Sequence, residues 1–121
     1  MNLSDARYIS LRTYRKSGAT VDTPVWFASE GSLHYVFSEA AAGKIKRLRN
    51  SSSAQVATCD MRGGSLGQWQ ACEAFIVEDP GEEAKAYRLL HAKYGFWMRL
   101  TDFFSRLSGR IDQRAVIRIE T

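Results

Sequence analysis

The sequence predicts a mainly β protein, an antiparallel barrel of six strands with about three helices gathered on one side. Apolar residues alternate with a period of two through the first half of the chain, and tight-turn residues separate those runs. A period of three and four dominates only after Asp79-Pro80-Gly81. A parallel sheet would need a helix between most strands, whereas here strand follows strand.

In chain order, Ser4 and Asp5 can cap a short N-terminal turn. Residues 8–14 alternate Ile9, Leu11 and Thr13 against Ser10 and Arg12, the pattern of a half-buried strand. Lys16-Ser17-Gly18 breaks that run, and Thr20 to Ala28 places Val21, Thr23, Val25 and Phe27 on one face, which makes a hairpin. Pro24 cannot donate to a ladder, so it marks either an edge strand or a bulge where the sheet opens toward a ligand. Glu30-Gly31-Ser32 turns the chain into a third strand, Leu33 to Phe37, which runs into a basic helical stretch. Ala54 to Met61 and Gln68 to Val77 read as a second hairpin with a long glycine-bearing tip. Beyond Pro80 the stripe Ala84, Tyr87, Leu90 and Tyr94 predicts a helix, with Glu82 and Glu83 in its first turn. Trp97, Leu100, Phe103, Phe104 and Leu107 continue the helical period after Gly95, and Ala115 to Ile119 alternates as a closing strand.

A chain of 121 residues, 45% of them hydrophobic, fits a single domain over residues 1–121 with one core. The net charge of +4 suits an anionic small ligand and is too mild to require nucleic acid. Cys59 and Cys72 have no CxxC spacing and no histidine set beside them, so they read as buried thiols and no metal is expected. Without a long apolar run the chain is expected to be cytoplasmic, with no membrane partner. Gly63, Gly64 and Gly67 fit neither a GxGxxG nor a P-loop pattern and are read as loop punctuation.

The stretch SEAAAGKIKRLR, residues 38–49, places four cations in one short helical run directly after a strand. A helix start offers unpaired N–H groups and the positive end of the dipole to an anion, and Lys44 adds a full charge. Lys44 and Arg47, three apart, share a face, whereas Ile45 and Leu48 point elsewhere and can be buried. The alternative is an ordinary solvated basic face. His34 and His91 lack a partner to make them ligands or an acid/base pair and are read as structural.

The segments YISLRTYRKSG, TPVWF, GKIKRLR and KYGFWMRL, in this order and spacing, resemble the pyridoxamine 5′-phosphate oxidase-like FMN-binding split-barrel superfamily, in particular its flavin- or deazaflavin-dependent oxidoreductase branch. The resemblance covers almost the whole chain. It implies a homodimer with cofactor sites at the subunit interface and hydride exchange with a small organic substrate. It also implies that Lys44 holds a cofactor phosphate with the Ser38 hydroxyl beside it, and that Arg47 and Arg49 match further basic positions. Thr23, Pro24, Val25 and Trp26 would lie beside the ring system, with Arg12 and Thr13 on the neighbouring strand. Trp69 or Arg99 would reach in from the partner. Ser51-Ser52-Ser53 stands where relatives often carry proline, and Ser38 where threonine is common.

FMN and the deazaflavin coenzyme F420 are not separated at this level, because the cluster of Lys44, Lys46, Arg47 and Arg49 suits a monophosphate and an acidic tail alike. In such enzymes the cofactor carries the hydride, so the protein needs no nucleophile, and no catalytic residue is assigned. Two other classes stay open. One is a non-catalytic module holding a flavin, haem or tetrapyrrole. The other is a small nucleic-acid-binding barrel, suggested by Tyr14-Arg15 and Trp97-Arg99, against which stands the lack of a basic stripe spread over several strands.

Overall fold

The computed structural model describes residues 6–39, 42–64, 66–95 and 114–121. Its elements are β1 (Tyr8–Tyr14), β2 (Thr20–Val25), β3 (Ala28–Glu30), β4 (Leu33–Glu39), α1 (Gly43–Asn50), β5 (Ser53–Cys59), β6 (Gln70–Val77), α2 (Pro80–Tyr94) and β7 (Arg114–Glu120). The expected N-terminal turn at Ser4 and Asp5 and the expected helix from Trp97 to Leu107 lie outside the described residues.

The seven strands form one antiparallel sheet in the order β2-β1-β5-β6-β7-β4-β3. Its two edge strands, β2 and β3, are consecutive in sequence and are joined by only Trp26 and Phe27. A flat sheet of seven strands would hold its edges roughly 29 Å apart. Three Cα–Cα steps, from Val25 to Ala28, span at most ~11 Å. The sheet must therefore curl until its edges meet, and the result is a barrel.

This corrects one expected element. The run from Thr20 to Ala28 is not a single strand: it leaves the β1 ladder at Val25 and joins β4 at Ala28. The alternation in sequence continues across the corner, because Phe27 still points into the core with Val25, and so the break leaves no mark in the hydrophobic period. Counted along the ladders there are seven strands where six were expected.

Inside the barrel, Ile9, Leu11, Val25, Phe27, Val36, Val56, Ala74, Ile117 and Ile119 meet Ile45 and Leu48 of α1 in one cluster. α1 thus gives its apolar pair to the core, and its cations stay outside it. α2 lies against β3 and β4, covering the outward residues Ala28, Tyr35 and Phe37 with Ala86, Leu90, Tyr94 and Tyr87. Ala84, expected on this stripe, is exposed. Asp79 caps α2 by accepting from the Glu82 N–H at 2.9 Å, with Pro80 following in the first turn. The cysteines also depart from expectation: Cys59 and Cys72 are only half-buried. Burial nevertheless pushes the Cys72 thiol up to about 11. No group of metal-ligating side chains occurs among the described residues.

The corner between the two edge strands is fixed by a single side chain. Tyr94 stacks on Trp26, with centroids 4.6 Å apart and planes within 7°. Its hydroxyl oxygen accepts from the Phe27 N–H at 2.9 Å, and its proton is within reach of the Phe27 and Arg7 carbonyls, both at 2.8 Å. Burial pushes this phenol up to about 12. An acid held above its usual value of 10 supports the fold fully below pH 10 and loses that support as pH climbs toward 12. Tyr94→Phe leaves the Phe27 N–H without an acceptor and is expected to cost about 1–3 kcal/mol at neutral pH. Its denaturation midpoint should also fall less steeply between pH 10 and 12 than that of the wild type. Urea unfolding at both pH values measures this, and identical curves for the two proteins would contradict the role given to the hydroxyl.

Candidate functional site

The barrel is closed at only one end of its seam. β3 pairs with β4 through Leu33, His34 and Tyr35, whereas β4 runs on to Glu39 with β7 as its partner on the other side. β2 pairs only with β1. Between β2 and the second half of β4 the sheet is split. A cleft of about 300 Å³ opens there, lined by Pro24, Val25, Trp26, Phe37 and Lys44. Of the two readings of Pro24 the edge strand holds, since β2 ends the strand order and its register with β1 runs through Pro24 without a bulge; that edge borders the cleft.

The polar end of the cleft is the start of α1. Ala42 caps the helix with extended backbone and no side-chain hydrogen bond, and the first turn holds no acid. Lys44 lies in this turn and lines the cleft. Arg47, one turn on, folds back across Gly43: a Cβ at position 43 would lie 2.7 Å from its Nη1. Its Nε donates to Thr13 Oγ1 at 2.6 Å, which ties α1 to β1. Burial and the charge of Arg15 push the Arg47 guanidinium below its ordinary value. Two guanidiniums therefore repel one another beside a helix start with Lys44 close by in sequence, and an anion placed there would relieve that repulsion. The donor set, a helix start with glycine, lysine and arginine, fits a phosphate group.

The remaining candidates are placed as follows. Ser38 is buried near the end of β4. Thr23 is half-buried on the core-facing side of β2. Arg49 is exposed in the last turn of α1 and is not among the residues lining the cleft. Arg12 is engaged elsewhere: it points outward from β1, forms a two-point ion pair with Asp22 at 2.8 and 3.0 Å, and stacks 3.9 Å from the Trp69 ring centre of its own chain. The pairing holds the Asp22 carboxyl below the usual carboxylate range. Arg99 lies outside the described residues.

Two contributors were missed. In the sequence Phe37 closes a strand run with no face marked for it. Its outward position, alternating with buried Val36, is the signal that could have marked it as a wall residue. In the sequence Tyr94 is one member of a core stripe, and nothing in its spacing reveals a hydroxyl aimed at a backbone 67 residues away. The histidines fit the structural reading. His34 is buried with Nδ1 2.5 Å from Ser29 Oγ, and burial together with Lys93 keeps its pKa low. Neither His34 nor His91 lines this cleft.

No family model matches the chain. No curated protein matches it either. Solved structures do. A protein provisionally assigned as a pyridoxamine 5′-phosphate oxidase from Listeria innocua aligns over 95% of this chain and 83% of its own, at 13% identity and a TM-score of 0.66. HutZ, a haem storage protein from Vibrio cholerae, aligns over 96% and 82%, at 14% identity and a TM-score of 0.71. A FAD-binding protein from Mesorhizobium loti aligns over 98% and 81%, at 16% identity and a TM-score of 0.63. At these identities the likeness is one of fold, and the chain has the pyridoxamine 5′-phosphate oxidase-like split-barrel fold.

Because only the tip of a flexible side chain stands over position 43, Gly43→Ala should fold normally, with stability changed by less than about 1 kcal/mol. It should displace the Arg47 guanidinium and break its bond to Thr13. In nitrogen-15 NMR the Arg47 Nε–Hε signal is expected to shift and lose its slowed exchange. An unchanged signal would show that Arg47 does not lie across the glycine.

Proposed function

We propose that the chain binds FMN or the deazaflavin coenzyme F420 in the barrel split and serves as an oxidoreductase for a small organic substrate. The observation that carries this reading is the cleft itself, which is apolar along Val25, Trp26 and Phe37 and ends in Lys44 at an uncapped helix start. That polarity suits a flat ring joined to a phosphate. When bound, such a cofactor accepts and returns hydride.

The chain's own residues then have the following roles. Lys44, the first-turn amides of α1, Arg47 and Ser38 hold the phosphate, with Arg49 adding positive field from the exposed side. The open edge of β2, from Thr23 to Trp26, lies along the ring, and Pro24 spares that edge one N–H. Thr13 positions Arg47, whereas Arg12 braces β1 against β2 through Asp22 rather than reaching the ligand. A second copy of the chain completes the site. The reading places the protein in the cytoplasm, and no described helix is long and apolar enough to cross a membrane.

A haem or tetrapyrrole module is the competing reading on this fold, as the likeness to a haem storage protein illustrates. It is less favoured, because the described histidines stand away from the cleft. Titration with FMN and with F420, followed by quenching of cofactor fluorescence, separates the possibilities. Lys44→Ala should weaken binding by about 1.5–3 kcal/mol, the worth of a charge-assisted hydrogen bond. A dissociation constant unchanged by this substitution would remove the phosphate role from Lys44.

A further inference from the structure

We infer that a second cleft, sharing Trp26 with the first, is a binding site for a small planar aromatic carboxylate. It has a volume of about 420 Å³ and is lined by Arg7, Tyr8, Trp26 and Met61. Sites for small organic molecules run from about 300 to 1,000 Å³, so this one holds a compact ligand.

The chemistry of the lining selects the class. Two aromatic side chains and a thioether favour a flat apolar body. The one charge in the lining is a guanidinium, the side chain best matched to a carboxylate. Among the described residues the ion pairs belong to Arg12, Lys85 and Arg118, and Arg7 is in none of them.

The cleft is also pre-organised. Tyr94 stacks on the Trp26 indole, and its hydroxyl lies 2.8 Å from the Arg7 carbonyl and 2.9 Å from the Phe27 nitrogen. One phenol thus fixes both the aromatic wall and the backbone that carries the cationic anchor, which lowers the ordering cost of binding. Met61, at the loop tip, is 65% exposed and forms the side open to exchange.

The inference deepens the proposed function, and rests on it, only in making this ligand the substrate; occupancy of the cleft does not depend on a flavin. Trp26 would then stand between substrate and cofactor sites, so that the two compartments share one wall.

Calorimetric titration of the full chain, with and without added FMN, tests the assignment. The probes are indole-3-carboxylate and its neutral counterpart, indole-3-carboxamide. The wild type is expected to bind the acid roughly tenfold or more tightly than the amide, the difference one charge-assisted contact makes. Arg7→Met should abolish that preference, and Met61→Glu should weaken the acid alone. Melting curves of both variants, altered only at exposed side chains, should match the wild type and so exclude misfolding. Equal affinity for the two probes, no binding of either, or a preference that survives Arg7→Met would overturn the inference. If the acid binds through Arg7 but FMN does not bind at all, the cleft stands and the flavin reading falls. If FMN binds through Lys44 but the acid shows no dependence on Arg7, the reverse holds.

Discussion

Closure of the sheet through a two-residue corner is the constraint on which the rest of the molecule depends. β2 and β3 sit at opposite ends of the strand order, yet only Trp26 and Phe27 separate them. Once the edges are forced together, the corner's N–H and carbonyl are buried and need partners. Tyr94 supplies them from α2, and the same ring stacks on Trp26. The corner then seals one half of the seam through β3 and leaves the other half open, because β4 outruns β3 by four residues. The cleft is therefore a consequence of the topology, not an accident of side-chain packing.

Charge is distributed around that opening unevenly. On the outer face of β1, Arg12 is neutralised by Asp22, and on the α2 side Arg118 and Lys85 are matched by Glu82, Glu120 and Glu30. At the start of α1, Arg47 instead bonds a neutral threonine and feels the repulsion of Arg15. Compensated cations brace strands, whereas a guanidinium that bonds a neutral hydroxyl and is repelled by a second guanidinium lowers the energy of an incoming anion. The formal charge of +4 hides this contrast, which appears only when each cation is placed beside its neighbours.

Much of the fold was legible because burial on a curled sheet imposes a period of two. Ile9 and Leu11, then Val21, Thr23 and Val25, declared their strands directly, and Ile45 with Leu48 declared the buried side of the basic helix. The split of the second predicted strand was not legible, since the inward sequence Val25–Phe27 carries on across the corner. Ala84 misled because alanine fits an exposed turn of helix as well as a buried one. At the site, Lys44 is grouped with Pro24, Val25 and Trp26 only through the family resemblance, and the structure brings these four to one cleft. The engagement of Arg12 by Asp22 and Trp69 and the reach of the Tyr94 hydroxyl depend on pairings between distant segments, which local spacing does not encode.

The most direct measurement is a crystal structure of the protein grown with excess FMN. The account predicts the phosphate beside Gly43 and Lys44 at the start of α1, with the ring along the unpaired edge of β2 against Trp26. Density for the flavin elsewhere, or a β2 edge fully paired with β4 so that no split remains, would contradict it.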